Sequence, residues 1–164
     1  MTLATDLLKQ AKQLAALDPK KPKQASLRRA VSASYYSLFH LLIADGAHAL
    51  VGTSRLKPVL ARAFQHTKLK DAAGLITKVH TGHKLAPLFD FPVAADLVEV
   101  CAAFIELQER RHVADYDTAE RFTRVETLAL VSKAEEAHRK WSQQRASHNA
   151  RVFILLGLEL VGKR

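Results

Sequence analysis

The sequence predicts an all-α protein, and three observations carry that expectation. Apolar residues recur at helical rather than alternating spacing, β-branched runs are short, and only 6 Gly and 5 Pro punctuate 164 residues. That length fits one domain over residues 1–164, able to bury a core without disulfides or structural metal. Long helices joined by connections of varied length give a helical bundle.

Thr2 or Thr5 caps a first helix reaching about residue 17, with Leu3, Leu7, Leu8, Ala11, Leu14 and Ala15 on one face. The stretch DPKKPK, residues 18–23, breaks it. A second helix starts near Pro22 and reaches about Ala49, its inner stripe formed by Leu27, Val31, Ser34, Tyr35, Leu38 and Leu42. At a rise of ~1.5 Å per residue it is about 40 Å long. Shorter helices are expected over 56–65 and 68–80, joined by segments that contain Gly82, Pro87 and Pro92. A long helix follows from 93 to about 116, and another from about 123 to 144 carrying Val125, Leu128, Val131, Ala134 and Trp141. The polar run 142–151 then precedes a final apolar turn or two.

The formal charge of +9 is unevenly placed: residues 1–89 hold 14 Lys/Arg against 4 Asp/Glu, and residues 90–164 hold 11 against 12. A field of that sign favours polyanions such as nucleic acid or acidic headgroups, and solubility accounts for it equally well. The longest apolar run, Val152 to Leu156 with its continuation to Val161, is too short for a bilayer and contains Glu159. No charged-then-apolar leader opens the sequence, so the reading is a soluble, cytoplasmic protein without a membrane partner. Cys101 sits among Val98, Val100, Ala102, Ala103 and Phe104, which makes it a buried thiol and excludes multi-cysteine zinc sites.

The octet RRHVADYD, residues 110–117, packs two arginines, a histidine, a tyrosine and two aspartates into the end of an apolar segment. On a wheel at about 100° per residue, Ala94, Leu97, Val98, Cys101, Phe104 and Ile105 share one arc. Gln108, Arg111, His112, Asp115 and Tyr116 land on or beside it, while Arg110 points away. Buried charge costs free energy unless paired, so the pattern fits either an interhelical polar clasp or a functional cluster.

Two stretches resemble the signatures of HEPN-domain proteins. LRRAVSASYYSLFHLL, residues 27–42, is similar to their tyrosine-pair helix, and RRHVADYD to the element in which an arginine precedes Ala-Asp-Tyr at the end of a long helix. The resemblance covers about residues 27–141. It implies an antiparallel four-helix core with extra short helices, a homodimer whose polar motifs face a shared cleft, and action on RNA. Many such proteins are metal-independent ribonucleases of toxin–antitoxin and defence systems, often paired with a cognate antitoxin of nucleotidyltransferase type. Catalytic members carry Arg, four to six residues, then His; here the fifth position after Arg111 is Tyr116, and Arg62 to His66 is one residue too short.

Metal-free RNA cleavage needs a base for the 2′-hydroxyl proton and a donor for the leaving oxygen, roles that imidazole and guanidinium fill near neutral pH. Tyrosine, with a pKa of about 10, is a poor base there. His112, on the same helix face as Arg111 and Tyr116, is the substitute, which makes Arg111, His112 and Tyr116 the candidate catalytic set. Arg111 also suits phosphate, and Tyr35, Tyr36 and Tyr116 either stack on bases or pack the core. Tyr36 and His40, four residues apart, share a helix face, so His40 lines the Arg111 cleft or serves a helix contact, as does Asp115. The basic residues Lys20, Lys21, Lys23, Arg28 and Arg29 are the expected RNA-binding surface.

Two Glu-x-x-His pairs, Glu109 to His112 and Glu135 to His138, suggest a di-iron bundle. The first helices hold no glutamate to complete it, because none precedes Glu99. HTGH, residues 80–83, straddles a glycine without cysteine or carboxylate and reads as a solvated loop. No Gly-rich phosphate loop or Gly-x-Ser-x-Gly elbow occurs. No metal or cofactor is therefore expected. Two functions follow: an RNA-directed HEPN-like module, catalytic or merely binding, and a non-catalytic dimeric protein-interaction module in which the Arg111 cluster is structural.

Overall fold

The computed structural model describes residues 2–161, and over them the chain is an all-α bundle. Its helices are α1 (Leu3–Ala16), α2 (Gln24–Val51), α3 (Lys57–Ala63), α4 (His66–Ile76), α5 (Ala95–Tyr116), α6 (Arg124–Gln144) and α7 (His148–Gly157). A single 3₁₀ turn, Ala86–Leu88, interrupts the long connection before α5. The single-domain expectation also spans residues 1 and 162–164, which lie outside the described residues. No described helix is long and apolar enough to cross a membrane.

Helix α2 is the hub, packing on α1, α3, α5, α6 and α7. All six expected inner-stripe residues are buried, and so are Ser32 and Ser37. Buried serines are tolerable on a helix because their hydroxyls back-bond: Ser34 donates to the Ala30 carbonyl at 2.8 Å and Ser37 to that of Ser34 at 2.8 Å. Gly52 ends α2 at φ 62, in the left-handed region. Gly46 has a steric role, since a Cβ there would lie 2.8 Å from the Ile154 side chain of α7.

Side-chain bridges fix helix directions. Lys133 reaches Glu106 and Lys140 reaches Glu99, so α5 and α6 run antiparallel. Arg28 meets Ala114 while Tyr35 meets Phe104, which makes α2 and α5 antiparallel as well. Ser37 pairs with His138 and Asp45 with Trp141, so α2 and α6 run parallel.

Two helix faces differ from the expectation. On α1 the buried residues are Ala4, Ala11 and Ala15, and Leu3 stands 57% exposed at the first helical position. Small residues win because α1 lies close against α2 and α6, where Ala11, Ala15, Ala30, Ala33 and Val131 form a cluster. On α6, Val131, Ala134 and Trp141 are buried as expected, yet Val125 is 78% exposed and Leu128 faces solvent. Thr127 takes the inward place, its hydroxyl satisfied by the Thr123 carbonyl at 2.8 Å. Thr123 and Glu126 form a capping box that fixes where α6 starts. Helix α4 stops at Ile76 rather than 80, and the closing apolar turns are a ten-residue helix capped by Ser147.

Candidate functional site

Helix α5 buries Leu97, Val100, Cys101, Phe104 and Leu107 along one face. One turn on, the same face carries Gln108 and Arg111, so the apolar stripe delivers a guanidinium to the bundle interior. The Arg111 side chain is only 13% exposed. It lies over the tyrosine pair of α2, 5.2 Å from the Tyr35 ring centroid and 5.6 Å from that of Tyr36. Tyr35 is wholly buried and Tyr36 half-buried.

The third wall comes from α4. Its first residue, His66, places Nδ1 2.5 Å from the Tyr35 hydroxyl and stacks on Phe39 at 4.0 Å between centroids. Tyr36 and His40 are neighbours at 6.3 Å, as the spacing of four requires. Burial lowers the pKa of His66, helped by Arg111 and His40, and burial lowers that of His40. Burial pushes the Tyr35 phenol far above its ordinary range against the pull of Arg111. Tyr35 and His66 are therefore both neutral near pH 7. Burial also works against the charge on Arg111, but Tyr36, Tyr35 and Asp115 outweigh it and keep the guanidinium protonated.

Two buried polar atoms in this cluster have no hydrogen-bond partner: Arg111 Nε and Gln108 Oε1. The Gln108 amide is oriented by its Nε2, which donates to the His66 carbonyl at 3.4 Å. Gln108 and Arg111 line an open cavity of about 350 Å³ with Lys70, Glu109, His112 and Val113. At its edge Lys70 pairs with Glu109 at 3.0 Å.

The candidate catalytic set is divided by the fold. Arg111 points in, whereas His112 is exposed and Tyr116 is 67% exposed, their rings 4.9 Å apart at the surface. Asp115 accepts from Ser32 at 2.6 Å and sits 3.5 Å from Arg111 Nη1. Arg110 does lie on another side of α5 from Arg111, but it is not solvent-facing. It stacks over Phe122 at 4.8 Å and approaches Glu120 at 3.9 Å, because the segment after α5 folds back across it.

The basic residues also separate. Lys20, Lys21, Lys23 and Arg29 are exposed. Arg28 is half-buried and spends its donors on backbone carbonyls, those of Ala114 and Asp117 at 2.8 Å each and that of Glu120. Cys101 is fully buried, as expected, and burial pushes its thiol up. His80 and His83 each accept a backbone N–H on Nδ1, from Gly82 at 3.2 Å and Leu85 at 3.1 Å, a turn held by its own histidines. Among the described residues no group of three or more His, Cys, Asp or Glu side chains could hold a metal ion.

Sequence reading missed His66 and used Gln108 only as a wheel position. The Arg62–His66 spacing concerns neighbours on one stretch of chain, whereas His66 meets Arg111 through Tyr35, across three helices. No family model, curated protein or solved structure matches this chain.

Proposed function

We propose that this protein is an RNA-directed module of the HEPN type, cytoplasmic and homodimeric, in which Arg111 takes a backbone phosphate. The observation that carries this reading is the state of Arg111. Its guanidinium is desolvated and walled by aromatic rings, and it keeps a buried donor unused at the edge of an open cavity. An arginine that served only to clasp helices would have its donors satisfied. Tyr36 beside it and His40 beside Tyr36 are half-buried and offer ring surfaces for bases, and Lys20, Lys21, Lys23 and Arg29 stand exposed for further phosphates.

Binding is better supported than cleavage. His66 is engaged with Tyr35, and His112 stands at the surface beside Tyr116 rather than over the phosphate ligand. A cleaving form, the toxin–antitoxin or defence setting and a nucleotidyltransferase-type antitoxin belong to the same proposal through the resemblance alone. Pairing of two copies across the motif-bearing face is its structural part. Light scattering at tens of micromolar is expected to give twice the 18.2 kDa chain mass, and a monomer removes that part.

The electrostatic part has its own test. Changing Lys20, Lys21 and Lys23 together to Glu is expected to weaken binding across RNA sequences. It also flattens the salt dependence, by roughly 0.7 in log–log slope for each lost contact to a single strand. Unchanged affinity assigns the charge excess to solubility instead.

A further inference from the structure

We propose that Gln108 makes this site selective for ribose, by accepting a hydrogen bond from a 2′-hydroxyl while Arg111 Nε donates to the adjoining phosphate. The inference rests on the RNA reading of Arg111 and adds the group that tells RNA from DNA. Its basis is the pair of orphaned atoms. Gln108 Oε1 is an acceptor and Arg111 Nε–H a donor, both buried, both without a partner, on side chains that line the same cavity. A phosphate alone satisfies only the donor. The ligand must also bring a donor of its own.

The amide cannot simply turn over to escape this requirement. Gln108 Nε2 donates to the His66 carbonyl, and the reverse orientation would set two oxygens against each other. The acceptor is thus aimed by α4, the helix that also brings His66 to Tyr35.

Spacing selects the 2′-hydroxyl among nucleotide donors. Gln108 and Arg111 are three residues apart on α5, one turn, with Cβ atoms roughly 5–6 Å apart. In RNA the 2′-hydroxyl sits on the carbon next to the one bearing the 3′-phosphate, so hydroxyl and phosphate oxygen are close neighbours on any nucleotide. A base amino group is farther from phosphate and occurs only on some bases. With DNA the buried Gln108 Oε1 stays unserved, whereas RNA supplies its donor, and that difference is what lets a site built around a hydrogen bond discriminate.

The experiment compares labelled oligouridylate with the deoxyuridylate and 2′-O-methyl oligomers of the same length by fluorescence anisotropy. Uracil lacks an exocyclic amino group, so only the sugar differs. Wild-type protein is expected to bind the ribo-oligomer roughly tenfold more tightly than either analogue, the scale of one buried acceptor left unpaired. The 2′-O-methyl group accepts but cannot donate, so it should fail as deoxyribose does. Gln108→Leu is expected to lower ribo-oligomer affinity to the deoxy level and leave deoxy binding unchanged, with the wild-type comparison standing by itself if that variant does not fold. Equal wild-type affinity for all three oligomers, or a ribose preference that survives in Gln108→Leu, overturns the role of Gln108 and leaves the RNA reading in place. Failure of wild-type protein to bind any of them overturns the RNA reading, and this inference with it.

Discussion

Arg111→Ala is expected to abolish RNA binding and to cost about 2 kcal/mol of stability, a pairing of effects that neither a pure clasp nor a free surface ligand would give. The stability part comes from two stacked contacts, over Tyr35 and Tyr36, each worth about 0.5–2 kcal/mol when partly desolvated. The ion pair adds little. Arg111 and Asp115 are 3.5 Å apart, and Asp115 keeps its bond to Ser32 when the arginine is gone, so the change leaves no isolated buried charge. For a chain of this size that loss lowers the melting temperature by about 4–8 °C. Arg111→Lys separates the two roles, because it keeps the charge and loses the planar fork with its Nε–H. It should recover part of the stability and little of the binding. Thermal melts and anisotropy on the same samples decide the matter: a destabilised Arg111→Ala protein that still binds RNA normally reduces the cluster to a clasp.

The residues that were legible in the sequence are those whose role is set by their own helix. The inner stripe of α2 and the inward turn of Arg111 follow from 3.6-residue periodicity, and both are found in the fold. Thr127 and Ser37 escaped because hydropathy counts a hydroxyl as polar, while a back-bond to the previous turn makes it cheap to bury. Arg110 and Arg28 escaped for a different reason. What each touches is decided by the segment between α5 and α6, which folds back to put Phe122 beneath both guanidinium groups. The site shows the same division. Arg111, Tyr35 and Tyr36 could be read from two helices, but His66 and the orientation of Gln108 depend on α4 docking against α5, a contact that no local pattern encodes.

Arg28 carries the other large effect, and it is expected to be structural. A helix ends with carbonyls that have no intrahelical partner, and α5 ends at Tyr116 without a basic residue of its own in the last turn. Arg28, from α2, supplies the missing cation. Its Nη1 donates to the Ala114 carbonyl at 2.8 Å and lies 3.5 Å from that of Val113, while Nη2 donates to the carbonyls of Asp117 and Glu120. One side chain thus caps α5 and ties down the segment leading to Phe122. One turn earlier on α2, Gln24 brackets Phe122, accepting from its N–H at 2.9 Å and donating to its carbonyl at 2.7 Å. Hydrogen bonds to a charged group contribute about 1.5–3 kcal/mol each, and those from one guanidinium are not additive, so Arg28→Ala should cost about 3 kcal/mol in urea unfolding. Hydrogen exchange should quicken at the end of α5 and through residues 117–123, and RNA binding should fall only as far as that loosening displaces Arg111. Arg29→Ala is the comparison, since its side chain is exposed and should change stability by less than about 0.5 kcal/mol. Should Arg28→Ala leave the urea midpoint unmoved and weaken RNA binding as the lysine reversals do, the carbonyl clamp is dispensable and Arg28 belongs with the strand-binding residues after all.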